Sequence, residues 1–438
     1  MKTAILGGGL TGVTLARGLH ERGENVVVLE AEPEYGGLCR SKRSEGFTFD
    51  TGGSHIIFSR DAAVLSFMKE VLGENRTERD RLTKIFYKGR YVKYPFENGL
   101  SDLPKEDLFF CINEFVKNLI AVEKGAVAPP ENFRDWIVAT FGAGIAGCYM
   151  IPYNRKIWKF PPEEMSAHWM EGRVPMPPVE DVIRSAIGIE TEGYTHQSVF
   201  SYPQSGGIEA LVQAIAAPVE DAIRTGFVVR SVRRREDGKW VIGDGNEEIV
   251  ADRCVATIPL QALLPCLEEV PAEVAAACAA LKYNAVACVC IGIRGATKPY
   301  SWVYVPQEEI GLFNRISFPS GYSDGNAPAG CSSVLAEITY REGDEAAQMS
   351  DDALVEHTVE GLMKMEVIAS PDDVVYAAVE RQRYAYVIYD LAYLENIRVI
   401  REFVEGTGID LLGRFAEFEY LNMDGCIRHV LDYLGERR

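Results

Sequence analysis

The chain has no basic surplus. Against 64 aspartates and glutamates stand 45 lysines and arginines, a formal net charge of −19. Nucleic-acid backbones are held by basic stripes, so a general nucleic-acid surface is excluded. A few arginines gathered in one pocket could still hold a small anion. No uninterrupted apolar run reaches the ~18–20 residues that cross a bilayer, and no basic, apolar, small-residue signal pattern precedes Ala4. The expectation is a cytoplasmic protein with no membrane insertion. The ten cysteines are scattered, and only Cys288 and Cys290 lie close, in "AVACVCIGI". That spacing supports neither a disulfide framework nor a zinc or other metal site, and free buried thiols are expected. Internal repeats and low-complexity tracts are absent as well.

What is present is an ordinary globular composition, 47% apolar and 25% charged, over 438 residues. That length exceeds the roughly 250–300 residues at which one core stops growing, so two or more lobes are expected. Glycine-punctuated, β-rich segments open the chain and return near 198–262, where "EDG" and "GDGN" read as turns between strands. From Lys105 to Val122 the residues Leu108, Phe109, Ile112, Phe115, Val116, Leu119 and Ile120 recur at helical spacing. Asn132 with Asp135 reads as the cap of another helix. Between about 280 and 390, four apolar segments alternate with Gly and Pro turns as a sheet would. The reading is an α/β protein in which residues 1–65, 198–265 and 395–438 form a discontinuous Rossmann-like nucleotide domain. Residues 66–197 form a helical insertion, and 266–394 an antiparallel-sheet substrate domain.

Gly7-x-Gly9-x-x-Gly12 follows the strand-like "TAIL" and opens the helix-like "VTLARGLHERG". In that context the first glycine permits a tight turn, the second lets the backbone approach a diphosphate, and the third lets helix and strand pack closely. The helix N-terminus then meets the diphosphate. Glu30, closing the second strand, would accept hydrogen bonds from ribose hydroxyls. Further along come "EYGGLCRS", with Gly36, Gly37, Arg40 and Ser41, and "FTFDTGGSH", with Asp50, Gly52, Gly53 and His55. Nicotinamide dehydrogenases do not need these loops.

The glycine loop, the second glycine pair with its arginine and a late "GRF…NMDG" together resemble the FAD-dependent amine oxidases and their relatives. The resemblance implies FAD contacts from Gly7, Gly9, Leu10, Thr11, Gly12, Glu30, Ala31, Gly37, Leu38, Arg40 and Ser41. It implies the same of Gly53, Ser54, His55 and Val229, and of a C-terminal turn carrying Gly413, Arg414, Asn422 and Met423. "KYPFENGLSDLPKED", "PYNRKIW", "EGRVPMP", "SYPQSGGIEAL", "GLFNRISFPSGYS", "RYAYVIYD" and "GRFAEFEYLN" are, in order along the chain, more specific. They resemble UDP-galactopyranose mutases of the eukaryotic type.

That family interconverts the pyranose and furanose forms of a nucleotide-linked galactose without net oxidation, with N5 of reduced FAD as nucleophile at the anomeric carbon. A departing diphosphate calls for guanidinium groups, which bind it bidentately, and Arg173 and Arg315 match the family's two. Tyr94, Phe96, Tyr153, Asn154, Trp158, Tyr304, Tyr386 and Tyr420 match positions lining the substrate pocket, and His55 lies in the loop placed beside the flavin. Two departures stand out. Glu97 replaces an amide that reads the base, and a carboxylate donates no hydrogen bond unless protonated. The "GGSH" loop is one residue longer than "GGH", leaving open whether Ser54 or His55 faces the flavin. NADPH or NADH is the expected transient reductant, a nucleotide sugar the expected partner, and a homo-oligomer is compatible. The alternative is an oxidoreductase of the protoporphyrinogen oxidase or amine oxidase type, which needs an apolar or amine-accepting cavity and no diphosphate clamp.

Overall fold

The computed structural model describes residues 1–170, 177–191 and 198–436. Its organising element is a five-stranded parallel sheet in the order 410–411, 253–256, 2–6, 25–29 and 223–224. The strands β1 (Lys2–Leu6) and β2 (Asn25–Leu29) are nearly all buried, as parallel strands covered on both faces must be. Helix α1 (Leu10–Glu21) connects them. It packs against the closing helix Met423–Gly435, so the two ends of the chain meet beside the glycine loop.

A seven-stranded sheet forms the second layer, in the order 374–388, 282–294, 331–340, 315–317, 302–304, 83–87 and 90–93. Its long strands pair antiparallel, and Cys288 and Cys290 share one buried face with Phe47 and Phe49. The sheet does not stop at residue 266, where the sequence reading began it. Thr83–Tyr87 and Arg90–Lys93 extend it from within the stretch read as a helical insertion. Trp302–Tyr304 pairs with Thr83–Tyr87 in parallel, so the sheet is mixed. Such pairing joins strands some 220 residues apart, and no local pattern encodes it.

Helices cover the sheet's far end. Lys105–Glu123 forms the helix read from its apolar spacing. Asn132 caps the next helix by accepting the Asp135 N–H at 2.9 Å. Phe133–Trp158 then runs through a kink at Gly142 as one 26-residue helical stretch. By length and composition this stretch could cross a membrane, which corrects the reading that no run is long enough. In this fold 44% of its apolar window is buried inside the protein, with Phe133, Ile137, Phe141 and Ile145 in the core.

Candidate active site

The glycine loop closes around its own backbone. A Cβ on Gly12 would lie 2.0 Å from the Gly7 carbonyl oxygen, so only glycine allows α1 to start this close to the β1 end. Gly8 N–H donates to Glu30 Oε2 at 2.6 Å, and Gly36 N–H donates to the Gly8 carbonyl at 2.8 Å. The first and second glycine loops therefore form one cradle, with Leu10, Thr11 and Gly12 at the start of α1 above it. Glu30 also accepts from Glu32 N–H at 2.9 Å, which orients its carboxylate; Ala31 beside it is exposed. Gly413 packs against Thr11 so tightly that a Cβ would sit 2.5 Å from its hydroxyl. The C-terminal turn is thereby brought onto the same cradle, with Asn422 immediately before and Met423 at the start of the closing helix. Val229 lies at the edge of the adjoining core, its carbonyl accepting from Cys266 Sγ at 3.2 Å.

Two residues of this set are otherwise engaged. Ser41 Oγ donates to Asp50 Oδ1 at 2.9 Å and accepts from Glu209 N–H at 3.2 Å, while its own N–H donates to Glu209 Oε2 at 3.0 Å. It is a brace between loops. Arg40 sits 4.0 Å from Glu32 and holds Thr51 N–H on its carbonyl at 2.9 Å. The turn after Leu38 is closed by Gly52, where a Cβ would meet the Leu38 carbonyl oxygen at 2.2 Å.

The loop 50–55 separates Ser54 from His55. Ser54 Oγ is 2.8 Å from the Tyr322 hydroxyl, and its N–H donates to Glu337 Oε1 at 3.1 Å. His55 Nδ1 is buried with no hydrogen-bond partner. Burial, aided by the Arg315 charge, lowers its pKa to about 4, so the ring is neutral at physiological pH. Ser54 is committed to the protein, and His55 is the group left to meet a ligand. Arg414 repeats the pattern: it donates to the Leu421 and Ala385 carbonyls, yet its Nε is buried and unpartnered. Beside a glycine cradle these two unpartnered buried atoms fit a bound flavin, which would give each a hydrogen-bond partner.

Arg315 lies on the strand Arg315–Ser317, directly across from Glu337. Its Nε and Nη2 donate to the two carboxylate oxygens at 2.9 and 2.8 Å. Glu337 is 1% exposed and Arg315 21%. Burial opposes the guanidinium charge, but Glu337 together with Tyr386, Tyr304 and Tyr153 outweighs it, and the pKa stands well above the ordinary arginine value. Nη1 carries no partner among the described residues. Nη2 also donates to the Ser54 carbonyl at 3.4 Å, so the guanidinium is pinned through Nε and Nη2 and offers Nη1 to the pocket. Arg173 lies outside the described residues.

Aromatic rings wall this pocket in two tiers. Tyr153 packs edge-on against Tyr304 at 5.2 Å, and Tyr94 lies against Tyr304 at 5.1 Å. On the other side Tyr386 stacks on Tyr420 at 5.9 Å, both meeting Trp158 edge-on, and Arg414 sits 4.6 Å over Tyr420. Phe96 does not line the pocket as the sequence reading expects. Phe96 is fully buried, stacked at 5.0 Å on Tyr149, which in turn stacks on Tyr153. Asn154 is half-buried and uses one donor and one lone pair of its amide within its helix: Oδ1 accepts from Trp158 Nε1 at 2.9 Å and Nδ2 donates to the Met150 carbonyl at 2.7 Å. It orients Trp158, itself 4% exposed.

Sequence reasoning missed Glu337, Tyr322, Tyr149 and Arg81. Arg81 lies 5.2 Å over Tyr94 and 4.7 Å over Trp302. A signal existed for Glu337: an acid on the apolar strand "SVLAEITY" demands a buried cation. The others depend on strand partners far away in sequence.

Glu97 is 4% exposed. Burial raises its pKa from 4.5 to about 7, offset only by its own backbone N–H. Between those two values the native state holds a proton that the unfolded chain has released, so stability falls as pH rises from about 4.5 to about 7. Glu97→Gln should abolish this slope, raising stability by up to ~3 kcal/mol at pH values above about 7.5 and by almost nothing near pH 4.5. Urea midpoints of both proteins at the two pH values check this. An equal gap at both would show that the carboxyl titrates normally.

A cradle of this form, with a C-terminal turn folded back onto it and a second sheet carrying the pocket, defines a flavin-binding α/β fold. Residues 10–395 match the family model of the flavin containing amine oxidoreductases, and the chain belongs to that family. It is 24% identical over 219 residues to dTDP-fucopyranose mutase of Escherichia coli, covering 46% of this chain and 54% of that enzyme. With flavin-containing amine oxidase B of Sus scrofa it shares 29% over 110 residues, 25% of this chain and 21% of the oxidase. The chain spans about half or less of these two curated relatives. A crystal structure of reduced UDP-galactopyranose mutase superimposes with a TM-score of 0.89 at 26% identity, covering 100% of this chain and 95% of that one. A putative protoporphyrinogen oxidase from Exiguobacterium, at TM-score 0.77 and 17% identity over 100% and 98% of the two chains, shares the fold alone.

Proposed function

We propose that the protein is a flavin-dependent nucleotide-sugar mutase, an isomerase interconverting UDP-galactopyranose and UDP-galactofuranose or a closely related nucleotide sugar. The observation that carries this reading is Arg315: a guanidinium fixed by buried Glu337 and the Ser54 carbonyl, with Nη1 left without a protein partner, inside a wall of tyrosines. A redox enzyme for amines or apolar substrates has no use for a fixed cation there. A leaving diphosphate does, because the charge is already oriented when the pyrophosphoryl group departs. Arg173 is assigned the second contact to the same group. Tyr94, Tyr153 and Tyr304 cover the nucleotide side, and Tyr386 and Tyr420 the C-terminal side.

The cradle residues fit FAD: glycine-loop amides for the diphosphate, Glu30 for the ribose, and His55 Nδ1 and Arg414 Nε for the ring system. Reduced FAD supplies the nucleophile when bound. His55, neutral at physiological pH, can accept or donate one hydrogen bond at Nδ1 without adding charge. A nicotinamide coenzyme is proposed as the transient reductant, entering through the substrate cleft because the sequence carries no second dinucleotide loop.

The test is conversion measured by chromatography, with and without dithionite, offering UDP-galactopyranose and dTDP-fucopyranose in parallel. The reduced protein should isomerise one of the two, and the oxidised protein neither. Failure with both sugars in both redox states, together with turnover of an amine or a porphyrinogen, would overturn the proposal in favour of an oxidoreductase.

A further inference from the structure

The helices Lys105–Glu123 and Phe133–Ile145 pack in backbone contact. Asn118 Nδ2 donates to the Ala139 carbonyl at 2.9 Å, a Cβ on Gly142 would lie 2.8 Å from the Glu114 carbonyl oxygen, and one on Gly144 would lie 2.6 Å from Cys111 Cα. Positions fall along one helix as they rise along the other, so the pair is antiparallel. One turn beyond Gly144, Cys148 comes level with Asp107, in the π-helical turn Ala146–Met150 that continues the second helix. Helical side chains lean toward their own N-terminus. Cys111 therefore leans toward the level of Cys148, Cys148 leans back to meet it, and the two thiols share a hydrogen bond.

The two sulfurs differ in what can reach them. Cys111 is fully buried and Cys148 half-buried, so a small solute meets Cys148 first. The hydrogen bond from Cys111 favours the Cys148 thiolate, the Tyr87 hydroxyl adds a second, and together they outweigh burial and lower the Cys148 pKa. Cys266, also half-buried, turns its thiol to the Val229 carbonyl at 3.2 Å, and burial raises its pKa. A reachable thiolate with a sealed second thiol against it is the arrangement of an attacking and a resolving cysteine. We propose that Cys148 and Cys111 form a hydroperoxide-reactive pair that closes reversibly into a disulfide. The Cys148 sulfur attacks the terminal oxygen of a hydroperoxide ROOH and gives it two electrons; the O–O bond breaks, and RO⁻ leaves with the proton that Cys148 released. Cys148 is then a sulfenic acid. The Cys111 sulfur attacks the Cys148 sulfur, the S–S bond forms as the S–O bond breaks, and the Cys111 proton departs with the hydroxyl as water. The bond ties the π-helical turn to the helix Lys105–Glu123 directly beside Tyr149, which stacks at 5.4 Å on the pocket residue Tyr153. A dithiol reductant reopens it.

Titration of the reduced 438-residue protein with hydrogen peroxide, read by peptide mass spectrometry, tests this. The wild type should yield one cross-linked peptide joining Cys111 to Cys148 within a single chain, and dithiothreitol should return both thiols. Cys148 should be oxidised on the order of tenfold faster than Cys266 or Cys331, the other half-buried cysteines. Cys111→Ala should stop the reaction at the first step, leaving a sulfenic acid at Cys148 that dimedone traps. In Cys148→Ala the buried Cys111 should remain a free thiol throughout. These last two results separate an ordered pair from general oxidation of an unfolded chain, which would expose all the cysteines alike. A wild type whose Cys111 stays reduced after Cys148 has been oxidised overturns the proposal. So does a cross-link that joins Cys148 to any other cysteine, or oxidation of Cys266 or Cys331 ahead of Cys148.

Discussion

Arg315→Ala should bind UDP on the order of 10- to 100-fold more weakly than the wild type and should also be several kcal/mol less stable. The two losses have different origins. Affinity falls because a charge-assisted hydrogen bond to a phosphate contributes about 1.5–3 kcal/mol. Stability falls because Glu337, 1% exposed, loses the cation that neutralises it. Breaking a buried pair by removing one partner costs about 3–5 kcal/mol. The stranded carboxylate would take up a proton, so the variant should lose more stability as pH rises. Adding Glu337→Gln separates the two effects: Arg315→Ala with Glu337→Gln should recover most of the stability and none of the affinity. Calorimetric titration with UDP and urea unfolding read them independently. If the single variant binds UDP as tightly as the wild type, Arg315 does not face the diphosphate.

Gly12→Ala should give a protein without bound flavin. The added methyl carbon would lie 2.0 Å from the Gly7 oxygen and 3.1 Å from its carbonyl carbon, and both are backbone atoms that no rotamer change can move. Either α1 shifts away from β1 or the loop turns its amides out of the cradle, and each removes the donors that a diphosphate needs. The purified variant should be colourless, with no flavin absorbance after denaturation. Gly406→Ala is the matched control, because it sits in a helix with nothing within 4 Å of its added carbon. It should retain the flavin in full and gain slightly in stability, as alanine favours a helix over glycine by ~1 kcal/mol. A yellow Gly12→Ala protein with wild-type flavin content would refute the reading of the loop.

Much of the architecture is local and could be read directly. The spacing of Gly7, Gly9 and Gly12, the two strands around α1 and the acid at Glu30 specify one compact turn. The helix from Lys105 and the cap at Asn132 follow from periodicity and a single side chain. The family motifs placed Arg315 and the tyrosines in one pocket. They could not tell which of those residues face it. Phe96 and Tyr94 stand two residues apart, yet one is sealed in the core and the other borders the pocket. Asn154 looks like a ligand-reading amide, and half of that amide is used to orient Trp158.

The chain alone therefore determined its nucleotide-binding unit, its helices and the residue types its chemistry requires, because those depend on neighbours within a few turns of backbone. Only the tertiary structure decided that Glu337 pins Arg315, that Tyr322 claims Ser54 while His55 Nδ1 is left unpartnered, and that residues 83–93 complete a sheet begun two hundred positions later. Burial and pairing across such distances are set by how layers pack, and packing is a property of the whole molecule that no short stretch contains.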